Sequence, residues 1–192
     1  MTDRLPPLDP AGFTPRQRDI HADIVARRGG AGGPFPAWLR NPELAHRAQA
    51  LGAYCRYDSS LSQLLSELAI LVVARHWRAQ AEWAIHAPIA ARAGLPDDAI
   101  RAIRAGADPQ LDDPAAVLVH DYTDQLLRTN RITDALHARA VRLLGQDGVV
   151  DLVALIGYYG LVAVTLNAFD MPVPEGRDIP FDEDTGSAGT GV

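Results

Sequence analysis

Apolar and polar positions along this chain of 192 residues follow the punctuation of helices. Thr14-Pro15 pairs an N-cap residue with proline at the first helical position, and Gly29-Gly30 stops the helix so begun. Asn41-Pro42-Glu43 repeats the start signal for a helix running to about Arg56. The turn Tyr57-Asp58-Ser59-Ser60 feeds the most apolar stretch, which breaks near Trp77 to Ala79 and resumes in a second helix ending before Gly94. Leu95-Pro96-Asp97-Asp98 opens a short helix that stops at Gly106. Further helices are expected from about Asp113 to Arg128, from the N-cap Thr133 to Leu144, and from about Asp147 to Ala168. The last carries β-branched Val149, Val150, Val153, Ile156, Val162 and Val164, which admits a strand; its length without turn signals favours helix. About seven to eight helices with short Gly/Pro/Asp connections predict a compact all-α domain over residues 1–170. The glycine-rich segment Gly29 to Pro36 lacks lysine and phosphate-loop spacing, so it reads as a connector. From Met171 the chain turns to proline, glycine and acids, which predicts a partly disordered C-terminal tail over residues 171–192.

Two of the chain's five glutamates, Glu67 and Glu82, fall in or beside its most apolar stretch, and His86 follows. Burying a carboxylate without a partner costs several kcal/mol, on the order of other unpaired buried ions. A short segment that accepts this cost twice, with a histidine in reach, is a candidate for proton chemistry. Glu82 and His86 are spaced i, i+4 and share one helix face. A carboxylate favours imidazolium and the reverse, so the pair can share a proton near neutral pH. The plainer reading is an ordinary pair on a solvated face. Pro88 cannot donate to the Ala84 carbonyl and bends the helix beside the pair. Arg75, two turns past Glu67, is placed to pair with it. Gly157-Tyr158-Tyr159-Gly160 and Leu166-Asn167-Ala168-Phe169 form a second cluster. Its glycines permit close helix packing or entry of a ligand, and Asn167 needs partners there or serves as a helix end-cap.

Composition narrows the chemistry. All 18 basic residues are arginine, against 24 acidic residues and a net charge of −6. Lysine Schiff-base chemistry is therefore excluded, and arginine is the natural clamp for a carboxylate. No basic stripe points to nucleic acid. Cys55 is the one cysteine, which rules out an intramolecular disulfide and a zinc site built on several cysteines. Glu67, Glu82 and His86 make a thin metal-ligand set, so no metal is expected. No run of about 18 uninterrupted apolar residues occurs and the N-terminus lacks a basic-then-apolar pattern, so neither a membrane span nor a signal peptide is expected. The cytoplasm is the expected location.

The pattern Glu67-x11-Ala79-x2-Glu82-Trp83-x2-His86, followed by Gly94-Leu95, resembles the carboxymuconolactone decarboxylase-like family, which includes alkyl hydroperoxidase D-type proteins. The resemblance is clearest over about residues 40–125. The Gly-Tyr-Tyr and Leu-Asn-Ala-Phe stretch is similar to the end of a longer, cysteine-free branch. In the hydroperoxidase branch a Cys-x2-Cys pair stands where this chain has Ala79 and Glu82, so peroxide reduction through a disulfide has no thiol pair to use. Glu67 and His86 match that branch, and Glu82-x3-His86 looks like the decarboxylase branch. The resemblance implies an all-α, alkyl hydroperoxidase D-like fold and a homo-oligomer, commonly a trimer or hexamer.

It also implies a lyase without a cofactor, acting on a small carboxylated lactone or related acid. The substrate's conjugated carbonyl is the electron sink. On this reading His86 delivers the proton, tuned by Glu82, and Glu67 orients or shares it. Arg75 or Arg56 holds a substrate carboxylate, and Trp77, Trp83, Tyr158 and Asn167 are further candidates for the pocket. The same groups suit isomerisation, hydration or lactone opening. A non-catalytic oligomer that binds a small acid, or a relic of a redox ancestor, is the reading from another class.

Overall fold

The computed structural model describes residues 4–181. Among them are eight α-helices and no strand: α1 (Pro15–Arg28), α2 (Phe35–Trp38), α3 (Pro42–Ala53), α4 (Gln63–Trp77), α5 (Gln80–Arg92), α6 (Asp97–Ala105), α7 (Pro114–Thr129) and α8 (Asp134–Ala168). The start signals act through side chains. Thr14 accepts from the Gln17 amide while the Gln17 side chain returns to the Thr14 N–H, a capping box that fixes α1. Asn41, Ser62, Asp113 and Thr133 each accept a backbone N–H at the heads of α3, α4, α7 and α8. Gly29 and Gly106 close α1 and α6 in the left-handed conformation, at φ 76° and 72°.

Helix α4 is the centre. Every residue from Leu65 to Ala74 is buried, as befits a helix apolar on all sides, and α5, α7 and α8 pack around it. The turn from α4 to α5 is only Arg78, left-handed at φ 49°, and Ala79. The two helices therefore fold back on each other as a tight hairpin, which brings Glu67 and His86 face to face.

One element departs from the expected boundaries. The helix read as running to about Arg56 ends at Ala53, and Tyr54–Asp58 winds on as a single π turn. Such turns shift the side chains that follow out of α-helical register. The π turn is pinned from α8: Asp151 accepts from Tyr54 Oη (2.7 Å), Ser60 N (2.8 Å) and Ser60 Oγ (2.7 Å). Burial pushes the Asp151 carboxyl up, but these bonds outweigh it and leave the group below its ordinary range. The two final helices stand as expected within α8, separated at Gly145, whose φ of 74° and ψ of 170° are not helical.

By length and composition α8 is able to cross a membrane, with a mean hydropathy of 2.0 over its most apolar stretch; 61% of that stretch is buried within the fold. Leu152, Leu155, Ile156, Tyr159, Val162 and Leu166 face the core, so core packing accounts for most of its apolarity.

Residues 171–181, the first part of the expected tail, pack on the helices. Phe181 is buried against Trp83, ring centroids 5.2 Å apart. The Gln80 side chain donates to Phe181 O (2.8 Å) and accepts from Phe181 N (2.9 Å), and Arg104 donates to Pro180 O. The rest of the predicted tail, 182–192, lies outside the described residues.

Candidate functional site

The central hairpin builds the site. Glu67 comes from the buried middle of α4 and His86 from α5, with His86 Nδ1 2.7 Å from Glu67 Oε2. Both side chains are buried, and Arg56 on the π turn stands 3.8 Å from the other Glu67 oxygen. Assigning the ring proton to Nδ1, where it meets a carboxylate oxygen, leaves Nε2 as the lone-pair nitrogen. The Tyr159 ring meets the imidazole edge-on at 5.1 Å and 87°, which fixes the plane of the ring. Burial raises the Tyr159 hydroxyl well above its usual range, with Arg56 opposing and Glu67, Tyr158 and Glu82 reinforcing. It is a neutral phenol.

Glu82 behaves differently from Glu67. It is 1% exposed, and neither carboxylate oxygen has a hydrogen-bond partner among the described residues. Burial raises its pKa well above the ordinary value, because an ionised carboxylate there has nothing to replace its water. Glu82 is held as a neutral acid. The i, i+4 pairing of Glu82 with His86 expected from spacing is thus not the contact that forms: the imidazole bonds across the hairpin to Glu67. Nor does Arg75 pair with Glu67, since Arg56 takes that place.

Glu82 and His86 line one cavity of about 340 Å³ with Arg56, Tyr158 and Tyr159. Glu67 stands behind His86 and is not part of the wall. Burial pushes the Tyr158 hydroxyl up to about 12, against the pull of Arg28 and Arg56, so both arginines flank it. Tyr158 packs so tightly on α3 that a Cβ at Gly52 would lie 2.1 Å from its hydroxyl oxygen. Of the residues nominated from sequence, Glu82, His86, Arg56 and Tyr158 meet here.

The other nominees lie elsewhere. Arg75 faces a separate cleft, with its guanidinium 5.9 Å from the Phe181 ring centre. Trp77 is 40% exposed at the end of α4. Trp83 packs on Phe181. Asn167 donates to Trp77 O at 2.7 Å, which caps α4 rather than its own helix. The sequence reading missed Tyr159 as a wall residue, although the Tyr-Tyr pair was visible, and it missed Arg28 and the glycine segment. Gly29, Gly30, Gly32, Gly33 and Pro34 border the cavity, so this connector also shapes the mouth.

Among the described residues no group of three or more His, Cys, Asp or Glu side chains converges on a metal position. Cys55 is free and buried, and burial pushes its thiol up to about 11, the opposite of an activated nucleophile.

The fold is all-helical and of alkyl hydroperoxidase D-like architecture. Residues 42–124 match the model of the carboxymuconolactone decarboxylase family, which confirms over that stretch the resemblance carried by Glu67, Glu82 and His86. A peroxidase-related protein from Silicibacter sp. TM1040 superposes with a TM-score of 0.71 at 17% identity, covering 88% of each chain. A cysteine-to-alanine variant of the debrominase Bmp8 in complex with 2,3,4-tribromopyrrole gives 0.69 at 14% identity, covering 89% of this chain and 91% of that one. Ligand-free Bmp8 gives 0.68 at 13%, covering 88% and 91%. At these identities the likeness is one of fold. No curated protein matches the chain at a comparable level.

Proposed function

We propose that this protein is a carbon–carbon lyase of the decarboxylase type, acting on a small carboxylated lactone or related acid by proton chemistry alone. The observation that carries the proposal is Glu82: a buried, neutral, unpartnered acid in the wall of a cavity that also holds His86 backed by Glu67. An acid kept protonated at neutral pH is a proton donor in waiting. It needs a partner that restores the proton, and an imidazole held through Nδ1 has Nε2 free for that task.

The steps follow from these roles. The substrate carboxylate leaves as CO2, and the electron pair of the broken C–C bond moves into the conjugated lactone carbonyl. The resulting dienolate takes a proton at carbon from Glu82. His86 then takes a proton from water and passes it to the Glu82 carboxylate, with Glu67 stabilising the transient imidazolium and the hydroxide left behind combining with the released CO2 as bicarbonate. Arg56 holds the substrate carboxylate beside the reacting carbon. His86, expected from sequence to deliver the proton itself, serves here as the relay. Thiol-based peroxide reduction is disfavoured, because the lone thiol is buried and has no partner thiol.

The test is turnover of γ-carboxymuconolactone and a panel of related lactones and β-keto acids by wild type, Glu82→Gln and His86→Ala. Loss of roughly 10²–10⁴-fold in both variants is the expected result. Wild-type protein that turns over no member of the panel rejects decarboxylation. Turnover that survives both substitutions removes the acid and the relay.

A further inference from the structure

Arg28, the last residue of α1, brings a guanidinium to the same cavity from outside the segment that carries the family match. Its Nη2 donates to Gln49 O at 3.2 Å, and its planar group lies 5.1 Å from the centre of the Phe35 ring. Its Nε is buried without a hydrogen-bond partner. Among the described residues no carboxylate pairs with it. Asp23 on the same helix is engaged by Arg27 at 3.0 Å and by the Gln49 amide. A permanently charged fork, held by stacking and by one backbone carbonyl, is thus left with donor capacity and no counter-charge.

The segment after Arg28 keeps that charge accessible. At Gly29, Gly30, Gly32 and Gly33 no atom stands within 4 Å of where a Cβ would be, and Gly29 and Gly33 hold φ of 76° and 65°. Side chains there would fill the mouth, and at two positions would also strain the backbone. The cavity therefore has two cationic points, Arg56 next to the Glu67–His86 pair and Arg28 beside the glycines, with Tyr158 between their influences.

We infer that Arg28 and the glycine segment form a subsite for a second acidic group of the ligand, remote from the reacting carbon, and that Arg28 sets the preference for dianionic over monoanionic small acids. The inference builds on the proposed function but concerns recognition, so binding tests it apart from turnover. The probes are glutarate and succinate against pentanoate and butyrate, titrated calorimetrically into wild type, Arg28→Gln, Arg28→Lys and His86→Ala.

Wild type is expected to bind the diacids about tenfold or more tightly than the monoacids of equal length, the worth of one charge-assisted pair. Arg28→Gln abolishes that ratio and leaves monoacid binding unchanged. Arg28→Lys, which keeps the charge, retains part of the ratio and covers the case in which the glutamine variant does not fold. His86→Ala keeps the ratio. Equal binding of diacids and monoacids by wild type, or an unchanged ratio in Arg28→Gln, overturns the inference and leaves the lyase reading standing. An Arg28-dependent ratio in a protein that turns over nothing leaves the subsite standing and rejects the lyase.

Discussion

Two cavities of the protein contrast, and the larger is the less promising. The cleft between α4, α6 and α7 holds about 710 Å³, against about 340 Å³ for the cavity at Glu82. Its charges are largely spoken for: Asp121 meets His120 at 3.4 Å and Arg139 at 3.2 Å, and Arg128 meets Asp124 at 3.4 Å. Arg75 Nε, without a hydrogen-bond partner among the described residues, belongs to a part-buried guanidinium set over Phe181. The smaller cavity is the opposite. It holds a carboxyl that is 1% exposed and has no hydrogen-bond partner among the described residues, beside an imidazole that bonds to Glu67 through one nitrogen. Volume measures how much solvent a surface admits. Unmet polar capacity in a buried wall measures what the fold gives up in stability to hold a reactive group there.

If that contrast is sound, removing the unmet group should trade function for stability. Glu82→Leu is the strongest form of the test. Activity falls by roughly 10²–10⁴-fold as the acid is lost, and stability rises by about 1–3 kcal/mol as a buried unsatisfied group is replaced by apolar volume. The gain depends on pH in a fixed direction. In the unfolded chain Glu82 ionises near its ordinary 4.5, whereas burial holds it protonated in the fold. From pH 4.5 upward the fold binds more protons than the unfolded chain, so wild-type stability declines with rising pH until the buried acid itself ionises. The advantage of the leucine variant is smallest below pH 4.5 and grows above it. Denaturant melts of both proteins from pH 4 to 8 read this directly; an advantage flat across that range means that Glu82 is ionised in the fold.

A smaller effect separates the cavity wall from its support. Asp151 touches no part of the cavity but holds the π turn that carries Arg56. Asp151→Ala is expected to cost about 2–3 kcal/mol, for the loss of hydrogen bonds to a charged acceptor. With Arg56 loosened, KM rises more than kcat falls. A kcat reduced as deeply as in Glu82→Leu, with KM unmoved, would place Asp151 in the chemistry rather than behind it.

The same distinction between wall and support marks what was legible in the sequence. The helix ends were written in local signals: Thr14, Asn41 and Thr133 before the helices, Gly29 and Gly106 after them, and a break between Trp77 and Ala79. The acid, the imidazole and Glu67 were visible as polar residues in an apolar run. Their pairing was not. Spacing along α5 makes Glu82 and His86 neighbours, but the α4–α5 hairpin offers His86 a second carboxylate from across the fold, and at 2.7 Å that contact wins. Arg75 lost its assigned role for a related reason. Periodicity on α4 says nothing of a π turn that delivers Arg56 from another element. Arg28 had no sequence signal at all, since it is one of 18 arginines and only tertiary packing brings it to the cavity.

The weakest expected effect returns to the larger cleft. Arg128 and Asp124 stand one helical turn apart on α7, with side chains 66% and 51% exposed. Water screens such a pair, and ordering two long side chains offsets most of what remains, so Arg128→Ala should shift stability by no more than about 0.5 kcal/mol. Turnover and diacid binding should not change, because nothing at Arg128 reaches the Glu82 wall. A tenfold loss of activity in Arg128→Ala, with the fold intact by circular dichroism, would show that the paired charges of the wide cleft are recruited by a ligand. Buried unmet capacity would then have pointed to the wrong cavity.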